Sequence, residues 1–198
     1  MSTRDYISQS LETLIEMLQD RRINTGITPK NANELIGSNT SYFEFIIESE
    51  KSEQYISTKI KIIYYIPSKF KWADVKKSFE DEDLYDLYIL VVRDALTQNN
   101  TKFIEALRPK PVVQIFELKR LQVNISKHSL VPKHELITDL KEEEEIIKQY
   151  CLKSKNQLPI ILKSDAMAKY LNLKTGDIIR ITRTSETSGQ YVEYRCCL

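Results

Sequence analysis

Two unbroken apolar runs constrain the fold of the first half of this chain more than any other feature. They span residues 63–66 and 87–92 and consist of isoleucine, leucine, valine and tyrosine. A strand with one solvent-exposed face alternates polar and apolar residues, whereas a strand covered on both faces has no such alternation. The two runs therefore predict strands that are buried in the interior of a sheet.

Other segments of the first half predict strands and helices that alternate along the chain. Strands are expected at 42–47, at 58–62 with one wet face, and at 112–116. Helical spacing is found in three places. It predicts an N-terminal helix with Ile7, Leu11, Leu14, Ile15 and Leu18 on one face, a short helix with Trp72, Val75 and Phe79 on one face, and a helix with Phe103, Ile104 and Leu107 that follows a polar loop at 97–101. This order predicts an α/β layer.

The pattern changes near residue 124, and we expect a second domain from there. Pro132 keeps its predecessor out of a helix, so residues 128–134 should be extended. Thr138 or Asp139 can cap the next helix, and Glu142 stands three residues after Asp139, as in a capping box. The acidic run 142–145 then lies in the first turns of a solvated helix. The expected domains are residues 1–124 and 125–198.

The last 40 residues predict a short helix and a hairpin. Ser164 or Asp165 can cap the helix, and strands are expected at 178–182 and 191–195. Gly189 in the connecting loop can supply the positive φ that a hairpin turn needs. The overall fold class is therefore α+β, with an α/β N-terminal domain and a small mixed C-terminal domain.

The charge balance argues against an autonomous nucleic-acid binder. Lys and Arg total 29 and Asp and Glu total 28, for a net charge of +1, whereas such binders have a basic excess. No apolar run approaches the roughly 18 residues that cross a bilayer, and no apolar segment follows Arg4 as in a secretory signal. We expect an intracellular protein that makes no membrane contact.

Metal and thiol chemistry are not expected. Cys196 and Cys197 are adjacent, and neighbouring residues on a strand point to opposite faces. No C-x-x-C pair occurs, and His128 and His134 lack the spacing of helical ligands. The four scattered glycines form no phosphate loop. We therefore predict no metal and no cofactor.

One nuclease-like constellation remains as an alternative. Asp94 follows one predicted strand, and Glu117-Leu118-Lys119 ends another. Nucleases of the PD-(D/E)xK type use two carboxylates to hold Mg²⁺ and a lysine to stabilise charge at the attacked phosphate. The Glu-x-Lys pattern is frequent by chance. The alternative to a nuclease site is a charged strand end at the surface with no catalytic role.

Two segments are candidates for nucleic-acid contact. Residues 148–198 contain nine Lys or Arg and four Asp or Glu, a difference of +5, which is also typical of an ordinary solvated surface. The polar segment Thr97, Gln98, Asn99, Asn100, Thr101 and Lys102 offers hydroxyl, amide and amine groups that suit phosphate contacts. A stand-alone DNA-binding or adaptor module is therefore a second alternative.

Ordered motifs in the C-terminal third resemble a known family. They are His128-x-Leu130-Val131-Pro132-x-His134, Asn156-Gln157-Leu158-Pro159-Ile160, Asp165 with Lys169-Tyr170, Gly176, Arg183-x-Ser185-Glu186-Thr187-x-Gly189-x-Tyr191 and Tyr194-Arg195. This series is similar to the fifth subunit shared by eukaryotic RNA polymerases I, II and III, and to its shorter archaeal counterpart. Weaker similarity to the eukaryotic form extends through Val91-Val92, Thr97, Pro109, Phe116 and Asn124-Ile125.

The resemblance implies a non-catalytic subunit with two modules. The N-terminal module would be a jaw with a restriction-endonuclease-like fold beside downstream double-stranded DNA, and the C-terminal module an assembly domain. The partners would be the largest polymerase subunit and neighbouring small subunits. By position, the DNA-proximal residues would be Thr97, Gln98, Asn99, Asn100 and Lys102. The partner-binding residues would be His128, Leu130, Val131, Pro132, His134, Arg183, Ser185, Glu186, Thr187, Gly189, Tyr191 and Arg195.

This sequence departs from the family pattern at several positions. Gln98 and Asn99 follow Thr97 where the family usually has Pro-Ser, Ala166 stands where Pro is usual, and Asn172 where Gly is common. Ser188 and Gln190 replace the usual Ala and Arg. Lysine outnumbers arginine and Ile and Asn are frequent, which fits an A/T-rich genome, either of a protist or of a large DNA virus. The expected location is the nucleus for a cellular protein, and a viral factory or virion for a viral one.

Overall fold

A computed structural model describes residues 3–27, 36, 40–52, 56–79, 84–105, 112–185 and 189–198. The chain divides into two compact units, Met1–Val123 and Asn124–Leu198. In the described part, no helix combines the length and the apolar character that crossing a membrane requires.

The first unit contains a four-stranded mixed sheet. Its elements are α1 (Thr3–Asp20), β1 (Tyr42–Ser49), β2 (Thr58–Tyr65), α2 (Trp72–Lys76), β3 (Leu87–Val92), α3 (Gln98–Glu105) and β4 (Val112–Glu117). The strand order is β1-β2-β3-β4; β1 is antiparallel to β2, and β2, β3 and β4 are parallel. All six residues of β3 are buried, as its unbroken apolar run predicts.

Helices cover both faces of this sheet. On one face, the buried Ser10 of α1 lies 3.2 Å from the hydroxyl of the buried Tyr64 on β2. On the other face, Val75, Phe79 and Ile104 pack into one cluster with the sheet residues Ile63, Tyr65, Tyr88, Leu90 and Val92. The prediction of an α/β layer is therefore confirmed.

The prediction that one face of β2 is exposed to solvent is wrong at Lys61. This residue is only 6% exposed, because its face of β2 is the one that carries the buried cluster. Its ammonium lies 3.5 Å from Glu44 and 5.7 Å from the ring centroid of Tyr85. A carboxylate and an aromatic face thus compensate the buried charge.

The polar loop predicted at 97–101 is also wrong, since α3 begins at Gln98. Thr97 immediately precedes the helix, at a position where threonine is favoured because its hydroxyl can accept from a backbone N–H of the first turn. Ile104, 3% exposed, anchors the helix in the cluster. Tertiary packing therefore outweighs the modest helix propensity of asparagine.

The second unit contains another four-stranded sheet. Its elements are β5 (Lys133–Leu136), α4 (Leu140–Gln149), β6 (Ile160–Ile161), α5 (Ala166–Leu171), β7 (Ile178–Ser185) and β8 (Gly189–Cys197). The order is β5-β7-β8-β6; β7 is antiparallel to both its neighbours, and β6 is parallel to β8. Cys196 packs in the cluster that includes Ile146 of α4, and Cys197 in the one that includes Ala168 of α5. The two cysteines thus occupy opposite faces, as predicted.

Aspartates at predicted positions begin α4 and α5, and an asparagine ends α5. Asp139 accepts a hydrogen bond from the backbone of Lys141 at 3.0 Å, and Asp165 accepts one from Met167 at 2.8 Å. Asn172 ends α5 in the left-handed region with φ 56°. Asparagine tolerates that region better than most residues, although glycine fits it best. The usual glycine at this position therefore has a conformational reason.

The acidic run at 142–145 is not simply solvated. Glu142 pairs with Arg180 of β7, and Glu143 lies 2.8 Å from the ammonium of Lys155. Glu142, the residue with capping-box spacing, places one carboxylate oxygen on Arg180 of β7. Two of the four acids therefore hold α4 to the rest of its unit.

Candidate functional site

The segment 128–131 forms a tight turn, which corrects the expectation that all of 128–134 is extended. The backbone N–H of Val131 donates to the carbonyl of His128 at 2.9 Å, and that of Leu130 donates to Nδ1 of His128 at 3.2 Å. Pro132 restricts only its immediate predecessor, so the residues before it are free to turn.

After the turn, the chain enters β5 in a fixed direction. Nδ1 of His134 donates to the carbonyl of Pro132 at 2.7 Å, and His134 pairs with Ile181 of β7. The two histidines thus hold the backbone on either side of Leu130. Leu130 itself is 85% exposed, while Val131 and Pro132 are half-buried.

The β7–β8 hairpin carries the predicted arginines. Nη2 of Arg183 lies 3.6 Å from Glu193, and Nε of Arg195 lies 2.8 Å from the other oxygen of the same carboxylate. The arginine side chains are 50% and 33% exposed, and that of Glu193 is 18% exposed. The unit therefore presents a group of two cations and one anion. Sequence reasoning missed Glu193, although it stands two residues before Arg195 on the same strand face.

The strand register brings the turn and the hairpin to one end of the sheet. Lys133 pairs with Thr182, so the preceding turn lies beside the part of β7 that contains Arg183. Arg183 pairs with Tyr191, which is 54% exposed. Most of the predicted partner-binding residues thus share one region of the second unit.

The tip of the hairpin is described only in part. Ser185 is the last residue of β7 and pairs with Gly189, the first residue of β8. Gly189 has φ +69°, which confirms its predicted positive φ. The predicted residues Glu186 and Thr187 lie outside the described residues.

The side chain of Tyr194 packs against other residues of the second unit. Its ring meets that of Tyr150 edge to face at 5.9 Å, and the guanidinium of Arg180 lies 5.8 Å from its centroid. Because Arg180 also pairs with Glu142, this group joins α4 to the hairpin. Tyr194 therefore contributes less free surface than Leu130 and Tyr191.

In the first unit, the DNA-proximal candidates lie at the carboxyl ends of two parallel strands. Thr97 and Asn100 line a cavity of about 360 Å³ together with Tyr65, Lys69 and Arg93. Gln98, Asn99 and Lys102 are exposed on α3. In sheets with parallel strands, this edge is where ligands commonly bind.

The nuclease constellation is assembled only in part. Val92 pairs with Glu117, so Asp94 follows β3 at the same edge of the sheet. Lys119, however, lies on a 3₁₀ turn at Leu118–Leu121 rather than on a strand, and its ammonium is 3.0 Å from Glu117. Arg120 lies 3.3 Å from the same carboxylate. Burial acts to raise the pKa of Glu117, but Lys119 and Arg120 outweigh it and hold that pKa below its usual value.

Glu117 is therefore neutralised by its own chain. Across the described residues, no group of three or more His, Cys, Asp or Glu side chains is placed to hold a metal ion. Cys151, Cys196 and Cys197 are free thiols, and burial raises the pKa of the last two. These buried thiols do not have the lowered pKa of a reactive cysteine.

Comparison with known protein families gives a match in the second unit. Residues 123–197 match the family described as "RNA polymerase Rpb5, C-terminal domain". The matched range and the compact unit Asn124–Leu198 nearly coincide. The second unit is therefore similar in sequence to the Rpb5 C-terminal domain.

Relatives extend the similarity beyond this domain. The chain is 38% identical over 107 residues to "DNA-directed RNA polymerases I, II, and III subunit RPABC1" of Caenorhabditis elegans, which covers 54% of this chain and 50% of the relative. It is 32% identical over 141 residues to "DNA-directed RNA polymerase V subunit 5A" of Arabidopsis thaliana, which covers 70% of this chain and 62% of the relative. Both alignments are longer than the Rpb5 C-terminal domain and therefore include part of the first unit.

The chain spans about half the length of several curated relatives that it matches, among them "DNA-directed RNA polymerases IV and V subunit 5B" of Arabidopsis thaliana, at 38% identity over 108 residues and 48% of its length. The turn at 128–131 and the Arg183–Arg195 hairpin both lie within the segment that matches the Rpb5 C-terminal domain. The recognition of a shared polymerase subunit from ordered motifs is thus confirmed.

Proposed function

We propose that this chain is a non-catalytic subunit of a multisubunit DNA-directed RNA polymerase and acts in transcription. The observation that carries the proposal is the match of residues 123–197 to the Rpb5 C-terminal domain, over a segment that also forms its own compact unit. The relatives named above are polymerase subunits. Catalysis would reside in larger subunits of the complex.

The Rpb5 C-terminal domain would serve assembly with the largest subunit and neighbouring small subunits. Support comes from the end of its sheet where Leu130 and Tyr191 are exposed and Arg183 and Arg195 flank Glu193. An exposed apolar side chain beside arginines is the composition that protein interfaces favour. The partly satisfied guanidinium groups retain donors for carboxylates or carbonyls of a partner.

The first unit would be a jaw with a restriction-endonuclease-like fold beside downstream duplex DNA. A mixed sheet covered by helices on both faces, with Asp94 and Glu117 at one edge, supports this relation. Lys69, Arg93 and Lys102 are exposed near Thr97 and could contact phosphate groups. The first 125 residues contain 17 Lys or Arg and 18 Asp or Glu, a difference of −1, so this contact would depend on DNA held by larger partners.

Co-purification from the source cells tests the proposed function. The tagged wild-type chain should bring down the largest polymerase subunit at moderate salt, and its absence would refute the proposal. Arg183→Glu combined with Arg195→Glu places three acids together at the hairpin and should reduce incorporation about tenfold or more. Lys148→Glu combined with Lys153→Glu is the matched control at exposed positions of the same unit, and should incorporate normally.

Two further assays separate the alternatives. Incubation of the purified chain with plasmid and Mg²⁺ should give no cleavage; cleavage that Glu117→Ala abolishes would establish a nuclease. A gel shift should show only weak, salt-sensitive binding to duplex DNA. Tight binding at physiological salt would favour a stand-alone DNA-binding module.

The proposed location follows from the proposed complex. The relatives are subunits of eukaryotic polymerases, so a cellular protein would be nuclear. A protein of a large DNA virus would instead lie in a viral factory or the virion. Fluorescence microscopy of the tagged chain in its source cells, with the largest subunit labelled, distinguishes these cases.

A further inference from the structure

The outer edge of β8 is open along most of its length. Among the strands that the structure describes, β8 pairs with β7 over eight of its nine residues, from Gly189 to Cys196, but with β6 only at Cys196 and Cys197. Within the described part of the chain, residues 189–195 therefore have no strand beside them on that side. An open edge of this length exposes a row of backbone donors and acceptors to which another strand can add.

The direction of each backbone group along this edge follows from three hydrogen bonds. The N–H groups of Cys196 and Leu198 donate outward, to Pro159 and Ile161, while that of Cys197 donates to Asp177 on the side of β7. The β7–β8 register has no bulge, so the alternation continues. The N–H and C=O groups of Gln190, Val192 and Tyr194 therefore point outward.

This edge lacks the features that protect exposed strands. Edge strands are commonly short, or carry lysine or proline that discourages pairing. The opposite edge of the same sheet fits that rule, since β5 has four residues, begins with Lys133 and follows Pro132. Residues 189–195 contain neither lysine nor proline and include two tyrosines and a valine, which favour strands.

The two faces beside the edge differ in chemistry. On one face Arg183 and Arg195 flank Glu193, so two cations face one anion. On the other face Val192, Tyr150 and Ile160 are 37%, 46% and 50% exposed. A strand added here would therefore place alternate residues against a net positive face and an apolar face.

We propose that the β8 edge accepts an extended segment of a partner polypeptide along residues 189–194. Acidic side chains of that segment would face Arg195 on the edge strand, with Arg183 one strand further in, and apolar ones would face Val192, Tyr150 and Ile160. The added strand would lie end to end with β6 and lengthen the sheet. This inference rests on the proposed function and specifies how the Rpb5 C-terminal domain binds within the complex.

Val192→Pro in the full chain tests the edge. The substitution removes an outward N–H and places a ring in the path of the added strand, while the inward ladder to β7 keeps its donors. Val192→Thr is the control, because it keeps the N–H and the β-branched shape. We expect Val192→Pro to bring down about tenfold less of the largest polymerase subunit than Val192→Thr does, because only the proline removes the outward N–H.

A folded Val192→Pro variant that co-purifies as well as Val192→Thr would overturn the edge proposal and leave the proposed function intact. A wild-type chain that brings down no polymerase subunit would refute both. If the free wild-type chain is a dimer by gel filtration and the Val192→Pro variant is a monomer, the strand that binds this edge comes from a second copy of the chain. That result would overturn the proposal of a partner polypeptide.

Hydrogen exchange covers the case in which Val192→Pro does not fold. In the wild-type chain the amides of Gln190, Val192 and Tyr194 should exchange fast when the chain is free and be protected in the complex. The inward amides of Tyr191 and Glu193 should be protected in both states. Equal exchange of the outward amides in the two states would contradict strand addition.

Discussion

Truncation of Leu130 to alanine tests whether the turn at 128–131 lies in the assembly interface. Leu130 is 85% exposed in the chain, so its loss should leave the free energy of unfolding nearly unchanged. Backbone hydrogen bonds and two histidine side chains hold the turn, so little conformational entropy would be lost when a partner covers this leucine.

The expected loss of affinity follows from the apolar groups removed. Leucine to alanine removes three carbon atoms, each worth about 0.8 kcal/mol when it is transferred from water to an apolar site. Since most of the side chain is in water in the free chain, nearly all of this, about 2 kcal/mol, is available at the interface. A tenfold change in affinity corresponds to about 1.4 kcal/mol, so Leu130→Ala should weaken binding about 30-fold.

Competition in the source cells measures this loss. Wild type and Leu130→Ala, carrying different tags, are co-expressed, and their ratio is compared between the polymerase pool and the total cell extract. Leu84→Ala is the matched control, because it is the same substitution at a residue that is 59% exposed in the other unit. An unchanged ratio for Leu130→Ala would remove the turn from the interface. A lowered thermal midpoint of the free variant would show that Leu130 has a structural role instead.

Three further predictions concern stability. Asn172→Ala should destabilise the chain by about 1 kcal/mol in urea unfolding, while Asn172→Gly should be neutral or stabilising, because φ is 56° at this position; equal effects would refute the conformational reason. Gly189→Ala should cost about 1 kcal/mol in the same assay although nothing lies within 4 Å of the added carbon, since only φ +69° opposes it; an unchanged midpoint would contradict this. Lys119 and Arg120 lower the pKa of Glu117 in the folded chain against the effect of burial, so its stabilising contribution is present above its usual pKa of 4.5 and is lost as the pH falls below it. Unfolding midpoints from pH 7 to pH 3 should therefore fall less steeply for Glu117→Gln than for wild type, and parallel curves would refute the coupling.

Local chemistry determines the features that sequence reasoning predicts well. The apolar run at 87–92 has few alternatives to a buried strand, and Asp139 and Asp165 cap helices through contacts two or three residues away. Gly189 is similar, because a positive φ depends on the residue itself. Each of these predictions depends on interactions within one segment. Such interactions form regardless of which distant segments pack against it.

Features that depend on strand register could not be predicted in this way. Glu193 lies between Arg183 and Arg195 only because β7 and β8 pair with one particular offset, and a shift of one residue would move Glu193 to the other face. Lys61 is buried because distant segments cover its face of the sheet. The helix at 98–105 likewise needs the cluster that receives Ile104. In each case the deciding contact lies far along the chain.

The distribution of ion pairs changes what the charge of the C-terminal segment means. The excess of nine cations over four acids in 148–198 resembles a basic surface in the sequence. In the structure, however, Arg180 pairs with Glu142 and Lys155 with Glu143, and both of these acids precede the segment. Residues 126–198 as a whole contain 12 Lys or Arg and 10 Asp or Glu, a difference of +2. Because a small net charge gives little long-range attraction, recognition by this unit must depend on short-range contacts. The exposed Leu130, the open backbone of β8 and the fixed arginines beside Glu193 are contacts of that kind, and they suit a subunit held within a larger complex.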